Sequence, residues 1–149
     1  ATGVSTGTVT ITASGTANGT PFTASAQLTV YFRSSVPLGS FTAPDTKLRN
    51  WQAADAYCKG LTPAARLPTR AELVTLFLEN TSATSVGVGA NFEMCTVHGW
   101  PAGTMCGGST GWYWTSEADW PGLHWAVTLL IGTDGSLQDT KEYHVTCVR

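Results

Sequence analysis

Apolar and polar positions alternate along the first part of the chain. Between residues 8 and 32, apolar side chains recur at every second position in two runs, which is the pattern of β-strands with one covered face. The Asn18-Gly19 pair between the runs favours a tight turn, because both residues tolerate positive φ. The pattern therefore predicts a β-hairpin. An isolated hairpin is marginal in water, so we interpret it as the closing strands of a truncated sandwich.

The periodicity becomes helical after Arg33. We place a domain boundary near Ser34, which divides the chain into residues 1–33 and 34–149. Apolar side chains then recur at helical spacing behind Asn50, a residue that caps helices well, and Gly60 offers a stop. This pattern predicts a helix over residues 51–59, with Cys58 facing the core.

A second helix is predicted over residues 70–79. Thr69 and Glu72 have the spacing of a capping box, in which each side chain satisfies a backbone N–H group near the other residue. Beyond this helix, residues 80–111 are Gly-rich and weakly periodic, which is typical of an irregular loop. Residues 112–116, 125–131 and 143–148 have the composition of strands, and residues 133–136 that of a turn.

Composition and charge narrow the classes of function. Only 12% of the residues are charged and the formal net charge is -2, so nucleic acid is not an expected partner. The longest apolar runs are much shorter than the roughly 20 residues of a membrane-spanning helix, and we expect no membrane insertion. Four cysteines in a chain poor in Lys and Glu favour disulfides in an oxidising compartment. The chain begins without Met, so we expect it to be a piece of a longer protein.

Four motifs occur in a recognisable order. A helix containing Cys58 is followed by Arg-Leu-Pro-Thr at residues 66–69, Tyr-Trp-Thr-Ser at residues 113–116 and Cys-Val-Arg at residues 147–149. Over residues 51–149 this order resembles the C-type-lectin-like receptor-binding domain of the intimin and invasin adhesins. Similar signatures occur in bacterial collagen-like adhesins. The preceding hairpin resembles the end of a bacterial immunoglobulin-like repeat.

The resemblance implies an α+β fold with two helices, small antiparallel sheets and long loops. It also implies a Cys58–Cys147 disulfide between the first helix and the last strand. Cys95 and Cys106 would then pair locally and hold the segment that contains Trp100.

The function that the resemblance implies is adhesion at the bacterial cell surface. Loops of the domain would bind a host cell-surface or secreted protein, with glycoproteins among the candidates. Neither catalysis nor a cofactor is expected. A calcium-independent carbohydrate-binding module is the alternative from a second class.

Two tryptophans are the strongest binding candidates. Trp100 and Trp120 each precede Pro in a Gly-containing segment, where regular packing does not easily bury an indole. An exposed aromatic side chain on a rigid loop buries a large area at low entropic cost. Each Trp could equally cover its own core, and both interpretations remain open. His98 and Asp119 are their neighbours in the predicted binding surface, whereas Trp51 and Trp114 are interpreted as core residues.

Other patterns favour structure over catalysis. Residues 107–111 match Gly-x-Ser-x-Gly around Ser109, but a nucleophile elbow leaves a strand and enters a helix, whereas this segment leads to a predicted strand. A hydrolase that uses Ser109 or His124 is the third hypothesis. We interpret His124 and His144 as packing residues.

Two groups of residues have the chemistry of metal ligands, but each has a simpler interpretation. Cys95, His98 and Cys106 could bind zinc, but a disulfide suits an even cysteine count better. Glu117 and Asp119 follow the Tyr-Trp strand where calcium-binding lectins hold ligands, yet the triplets of those lectins do not occur here. We therefore expect no metal.

Overall fold

The chain divides into two compact units, residues 1–34 and 35–149. A computed structural model describes residues 5–17, 19–32 and 38–149. Most of the predicted connector after Arg33 and Asn18 of the predicted turn lie outside the described residues.

The smaller unit contains the predicted hairpin. Strand β1 (Ser5–Ala17) pairs antiparallel with β2 (Thr20–Phe32) in an uninterrupted register from Ser5 opposite Phe32 to Ala17 opposite Thr20. Gly19 has a φ of 79° at the turn, a conformation that glycine adopts without steric cost. The hairpin prediction is confirmed, and the side chain of Ile11 is 57% exposed.

The larger unit combines helices with a small antiparallel sheet, as the α+β prediction requires. Its helical elements are a 3₁₀ turn (Leu38–Ser40), α1 (Trp51–Lys59), α2 (Arg70–Asn80) and the short α3 (Glu93–Thr96). Its strands are β3 (Trp112–Trp120), β4 (Leu123–Thr128) and β5 (Asp134–Gln138), paired in the order β3-β4-β5. Among the described residues, no helix is long and apolar enough to cross a membrane.

Both predicted helices form, with the predicted caps. The side chain of Asn50 accepts a hydrogen bond from the backbone N–H of Ala53 at 2.9 Å. Thr69 and Glu72 make the reciprocal bonds of a capping box, at 3.2 Å and 2.8 Å. These bonds satisfy N–H groups that a helix terminus leaves without partners, so the helix starts follow from local sequence.

The sheet lies between two apolar clusters. Tyr113 and Val127, opposite each other in β3 and β4, pack with the buried side of α2. Trp114 and Ala126, the next pair, pack on the other face with α1. The strands are therefore covered on both faces in this part, and fully buried side chains line each side. These include Leu73, Leu76, Phe77, Met94, Ala54, Cys58, Leu67, Val145 and Cys147.

The last segment of the chain closes the larger unit but is not a regular strand, contrary to the prediction for residues 143–148. Its backbone bonds go to several partners. Tyr143 pairs with Arg49, His144 with Tyr113 and Val148 with both Phe41 and Arg66. Because these partners come from different segments, no continuous ladder can form.

The Cys58–Cys147 disulfide joins α1 to this last segment, which confirms the predicted pairing. It closes a loop of 89 residues between two buried cysteines. A loop of this length corresponds to about 4–5 kcal/mol of stabilisation in the chain-entropy account. The bond therefore holds together two distant parts of the chain.

Three predicted boundaries are corrected. Strand β3 runs beyond residue 116 to Trp120, because its pairing with β4 continues past an irregularity between Trp114 and Ala118. Strand β4 covers residues 123–128 and not 125–131, since the backbone turns after Thr128. The predicted turn at residues 133–136 is also displaced: residues 134–136 belong to β5, and the chain turns at residues 129–131, where Gly132 N–H donates to the Thr128 carbonyl at 2.8 Å.

Candidate functional site

Trp120 is the most exposed aromatic side chain of the larger unit. It is 72% exposed and ends β3, immediately before the two-residue turn Pro121-Gly122. Pro fixes φ at the first turn position and Gly122 has a φ of 81° at the second, the arrangement that a type II turn requires. A short turn between paired strands thus presents the indole to solvent. The expectation that Trp120 lies in a loop is corrected, because it belongs to a strand end.

The surroundings of Trp120 are also exposed. We call residues 118–123 together with Gln138 the hairpin surface. Asp119 is exposed, Leu123 lies opposite Trp120 in the register, and Gln138 of β5 lies opposite Leu123. Side chains directly opposite in an antiparallel pair share a face, so Trp120 and Leu123 form one continuous apolar spot with polar neighbours.

The base of this hairpin is held from one side by a buried polar pair. His124 Nδ1 lies 2.7 Å from Asp139 Oδ1, and the ring stacks on Trp51 with centroids 3.5 Å apart. Because a carboxylate only accepts, the bond needs the proton on Nδ1. The Asp139 backbone N–H donates to the Gly122 carbonyl at 3.0 Å. The turn is therefore fixed to β5 and, through His124, to α1.

The guanidinium of Arg70 contacts the other face of the hairpin base. The Arg70 guanidinium lies 4.1 Å from the centroid of the Trp125 ring and 3.0 Å from Asp134 Oδ2. The carboxylate of Glu117 accepts from the Arg70 backbone N–H and lies 3.6 Å from its guanidinium. These contacts join the first turn of α2 to all three strands. The hairpin surface consequently stands on a rigid base.

Trp100 has the opposite position, and the interpretation of it as an exposed binding residue is corrected. Only 6% of it is exposed, and its ring packs 6.1 Å from Phe41 and 5.8 Å from Tyr113. Its backbone N–H donates to the Met94 carbonyl at 2.8 Å, after Gly99 reverses the chain with a φ of 73°. This reversal directs the indole into the core.

The Cys95–Cys106 disulfide, also predicted, closes the segment around Trp100. The Tyr113 hydroxyl donates to the Pro101 carbonyl at 2.8 Å and thereby ties the segment to β3. Burial raises the pKa of that hydroxyl well above its ordinary value, so it stays a donor. The loop is fixed at both its disulfide and its Trp-Pro pair.

His98 is a partly buried loop residue. Its Nε2 lies 2.9 Å from the Asn80 carbonyl oxygen, which requires the proton on Nε2 because a carbonyl only accepts. The ring therefore connects the loop after α3 to the end of α2. This contact is at the opposite end of the unit's sheet from Trp120, since the neighbouring loop at Gly87 bonds to the Ile131 carbonyl after β4.

The nucleophile elbow considered from the sequence around Ser109 does not form. That residue lies in a bend three residues before β3 starts, so the segment enters a strand and not a helix. Cys95 and Cys106 are bonded to each other, which removes them as zinc ligands. Glu117 is engaged by Arg70, and the described residues contain no group of three His, Cys, Asp or Glu side chains suited to a metal ion.

Comparison of the chain with known protein families found no matching model, and neither curated proteins nor solved structures gave a match.

Two residues of functional interest were not identified from sequence. Asp139 follows β5 and meets His124 through the strand pairing, so only the register could have revealed it. Asp45 lies in an irregular segment whose backbone N–H donates to the Val145 carbonyl at 2.8 Å. It approaches His144 because the two ends of the unit pair, and no local pattern marks that approach.

Proposed function

We propose that the chain is the receptor-binding tip of a bacterial surface adhesin. Residues 34–149 would form a C-type-lectin-like domain, and residues 1–33 the last strands of an immunoglobulin-like stalk domain. The tip binds a host cell-surface or secreted protein at the hairpin surface and does so without catalysis. The bacterial cell surface is the proposed location, and two disulfides are compatible with it.

The arrangement of the larger unit supports the lectin-like part of the proposal. The motif order implies that a first-helix cysteine bonds the last segment, and Cys58 and Cys147 are bonded. The first and last segments of the unit also run together: Thr42 N–H donates to the Cys147 carbonyl and Asp45 N–H to the Val145 carbonyl, both at 2.8 Å. A fold closed at its termini in this way leaves its loops and hairpin tips free to bind.

The observation that supports binding most strongly is the exposure of Trp120. An indole that is 72% exposed leaves a large apolar surface in water, although the unit has a core that buries Trp114 completely. Exposed aromatic side chains on rigid supports are the residues that dominate protein interfaces when a partner covers them. Asp119 and Gln138 beside it supply the polar rim that such interfaces have.

Binding of the fluorescently labelled chain to cultured host epithelial cells tests the proposal. We expect Trp120→Ala to weaken binding about thirtyfold, since a hot-spot residue contributes about 2 kcal/mol or more. Val88→Ala is the matched control, because Val88 is a 75% exposed apolar side chain at the other end of the sheet. Equal binding by wild type and Trp120→Ala would overturn the proposal, as would an equal loss in the Val88→Ala control.

A calcium-independent glycan-binding function is the second candidate. The same exposed indole could stack on a sugar ring, and the described residues hold no cluster of metal ligands for a calcium-dependent mode. Enzymatic removal of cell-surface glycans separates the two. Binding that persists after this treatment supports a protein receptor, whereas binding that disappears supports the glycan.

A further inference from the structure

The two disulfides of the larger unit differ in exposure. Cys58 and Cys147 are both fully buried, each 0% exposed. Cys95 is 5% exposed, but Cys106 at the other end of its bond is an exposed residue. A thiol in water reaches an exposed disulfide directly, whereas a buried disulfide reacts only after the fold opens. The Cys95–Cys106 bond is therefore the accessible one of the two.

Cys106 also borders an open space. Together with Gly99, Pro101 and Gly107 it lines a cleft of about 400 Å³, and the segment at residues 43–46 lines the same cleft. Clefts of roughly 300–1,000 Å³ are large enough to admit small molecules. A reagent that carries a thiol consequently has room beside Cys106.

The backbone of Cys106 is strained. Among the described residues, Cys106 is the only residue other than glycine with a positive φ, at 54°, and Gly107 follows with a φ of 76°. Side chains with a Cβ seldom adopt this region, and it persists only where the surrounding structure enforces it. Cleavage of the bond to Cys95 removes one of these constraints and allows Cys106 to return to a negative φ. Relief of backbone strain therefore favours the open form.

The second half of the loop depends on the disulfide for its attachment. The Gly108 N–H donates to the Met105 carbonyl and the Met105 N–H to the Ala102 carbonyl, both at 3.1 Å. In the part of the chain that the structure describes, no hydrogen bond joins residues 103–108 to another helix or strand. The first half is held differently, since the Trp100 ring packs in the core. Cleavage of the disulfide would thus release residues 103–108 and leave the core in place.

We propose that Cys95–Cys106 is a reversible thiol-exchange site, which closes the loop when oxidised and releases it when reduced. The buried Cys58–Cys147 bond stays closed throughout and keeps the unit folded. The co-reactant is a thiol, supplied either by a small molecule or by a protein. The site goes beyond the proposed receptor function and does not involve Trp120.

The exchange proceeds in two steps that balance. A co-reactant thiolate attacks Cys106 Sγ and forms a mixed disulfide, while the bond to Cys95 breaks and its electron pair leaves on Cys95 Sγ, which takes up a proton. A second co-reactant thiolate attacks the co-reactant sulfur of the mixed disulfide and releases Cys106 as a thiol after protonation. The protein disulfide gains two electrons and two protons, and two co-reactant thiols become one disulfide.

Reduction of the folded chain with reduced glutathione at about pH 8, where part of an ordinary thiol is ionised, tests the site. Samples are quenched with acid, free thiols are alkylated and the labelled cysteines are identified by peptide mass spectrometry. We expect Cys95–Cys106 to be reduced at least about tenfold faster than Cys58–Cys147, the internal control, because only the latter needs the fold to open. A smaller ratio, or earlier reduction of Cys58–Cys147, overturns the proposal.

Two single substitutions identify the sulfur that is attacked. Cys95→Ser leaves Cys106 as a free thiol, and Cys106→Ser leaves Cys95. With oxidised glutathione as the probe, the thiol of Cys95→Ser should form the mixed disulfide about tenfold faster, because Cys106 is exposed and Cys95 is buried. Equal rates, or the reverse order, contradict attack at Cys106.

A reduced protein of the thioredoxin class, used in parallel with glutathione, distinguishes the two sources of the thiol. Faster reduction by glutathione indicates a small-molecule thiol, and faster reduction by the protein indicates a protein dithiol. Either result supports the site, and reduction of Cys95–Cys106 by neither probe overturns it.

Hydrogen exchange of the same samples tests the release of the loop. Reduction should raise exchange in residues 95–106, most of all in the second half of this loop, and reoxidation should restore the slow exchange. The sheet of β3, β4 and β5 serves as the internal control and should keep its exchange rates. Unchanged exchange in the loop, or increased exchange throughout the sheet, contradicts a local and reversible release.

Discussion

Two Trp-Pro pairs occupy opposite environments in the larger unit. Trp100-Pro101 follows a helical turn and a glycine reversal inside a disulfide-closed loop, and Trp100 is 6% exposed. Trp120-Pro121 ends a strand at a two-residue turn, and Trp120 is 72% exposed. The same dipeptide therefore gives a core residue in one place and a surface residue in the other. The preceding backbone determines the environment of each indole. The chain reversal at Gly99 directs Trp100 into the core, whereas the end of β3 places Trp120 beyond the core.

The two regions therefore have different expected roles. The loop around Trp100 contributes to the stability of the unit, whereas the hairpin around Trp120 supplies the proposed receptor contact. Mutations in the first should change the free energy of unfolding, and mutations in the second should change binding alone.

The largest effect is expected from Trp100→Ala. The substitution removes a buried indole that packs on Phe41 and Tyr113, and deletions of this size from a core cost about 3–5 kcal/mol. Urea denaturation measures the loss. A loss below about 1 kcal/mol would show that Trp100 is not a core residue.

A smaller loss is expected when the Cys95–Cys106 bond is removed by Cys95→Ala and Cys106→Ala together. Closing a loop of 11 residues corresponds to about 3 kcal/mol in the chain-entropy account. Hydrogen exchange should rise in residues 95–106 and not in the hairpin surface. An equal increase in hydrogen exchange in both regions would contradict the expected difference between them.

A pH dependence should report on the core next to Trp100, where the Tyr113 ring lies between Trp100 and His144. Burial lowers the pKa of His144 in the folded chain, against an opposing effect of its bond to the Thr110 carbonyl. The unfolded chain therefore binds the proton first, and the free energy of unfolding falls as pH decreases below about 6.5.

Urea denaturation at a series of pH values measures this slope, and His144→Gln should reduce it. The same slope in wild type and variant would exclude His144 as its source. The window lies above the range of the acidic groups Glu72 and Glu93, whose pKa values are lowered from 4.5.

The smallest effect on stability is expected from Trp120→Ala. An exposed side chain makes few contacts in the free chain, so the free energy of unfolding should change by no more than about 0.5 kcal/mol. Measured together with Trp100→Ala, this variant defines the comparison quantitatively. A loss of several kcal/mol would mean that Trp120 packs against the chain itself.

Local signals in the sequence predicted much of the fold. The helix starts followed from Asn50 and from the Thr69–Glu72 capping box, and the first hairpin followed from strict alternation. The Cys58–Cys147 disulfide followed from the motif order, and Cys95–Cys106 followed as the remaining pair. Each of these features depends on a few neighbouring residues or on a recognisable arrangement of motifs.

Positions that depend on distant contacts were not predictable. Burial of Trp100 requires Phe41, which is distant in sequence, and Tyr113 across an irregular loop, and spacing gives no indication of either contact. The short α3 lies in a Gly-rich segment without clear periodicity. Asp45 and His144 come close only because the two ends of the larger unit pair. Candidate sites therefore emerged from tertiary structure, and the expected roles of Trp100 and Trp120 separated there.

Solvent accessibility of the two indoles tests the central claim most directly. With 5-fluorotryptophan incorporated and signals assigned through Trp100→Phe and Trp120→Phe, relaxation by a soluble gadolinium chelate reports which ring faces water. The account predicts strong relaxation of the Trp120 signal and little relaxation of the Trp100 signal. Equal relaxation of both, or the reverse order, would contradict it.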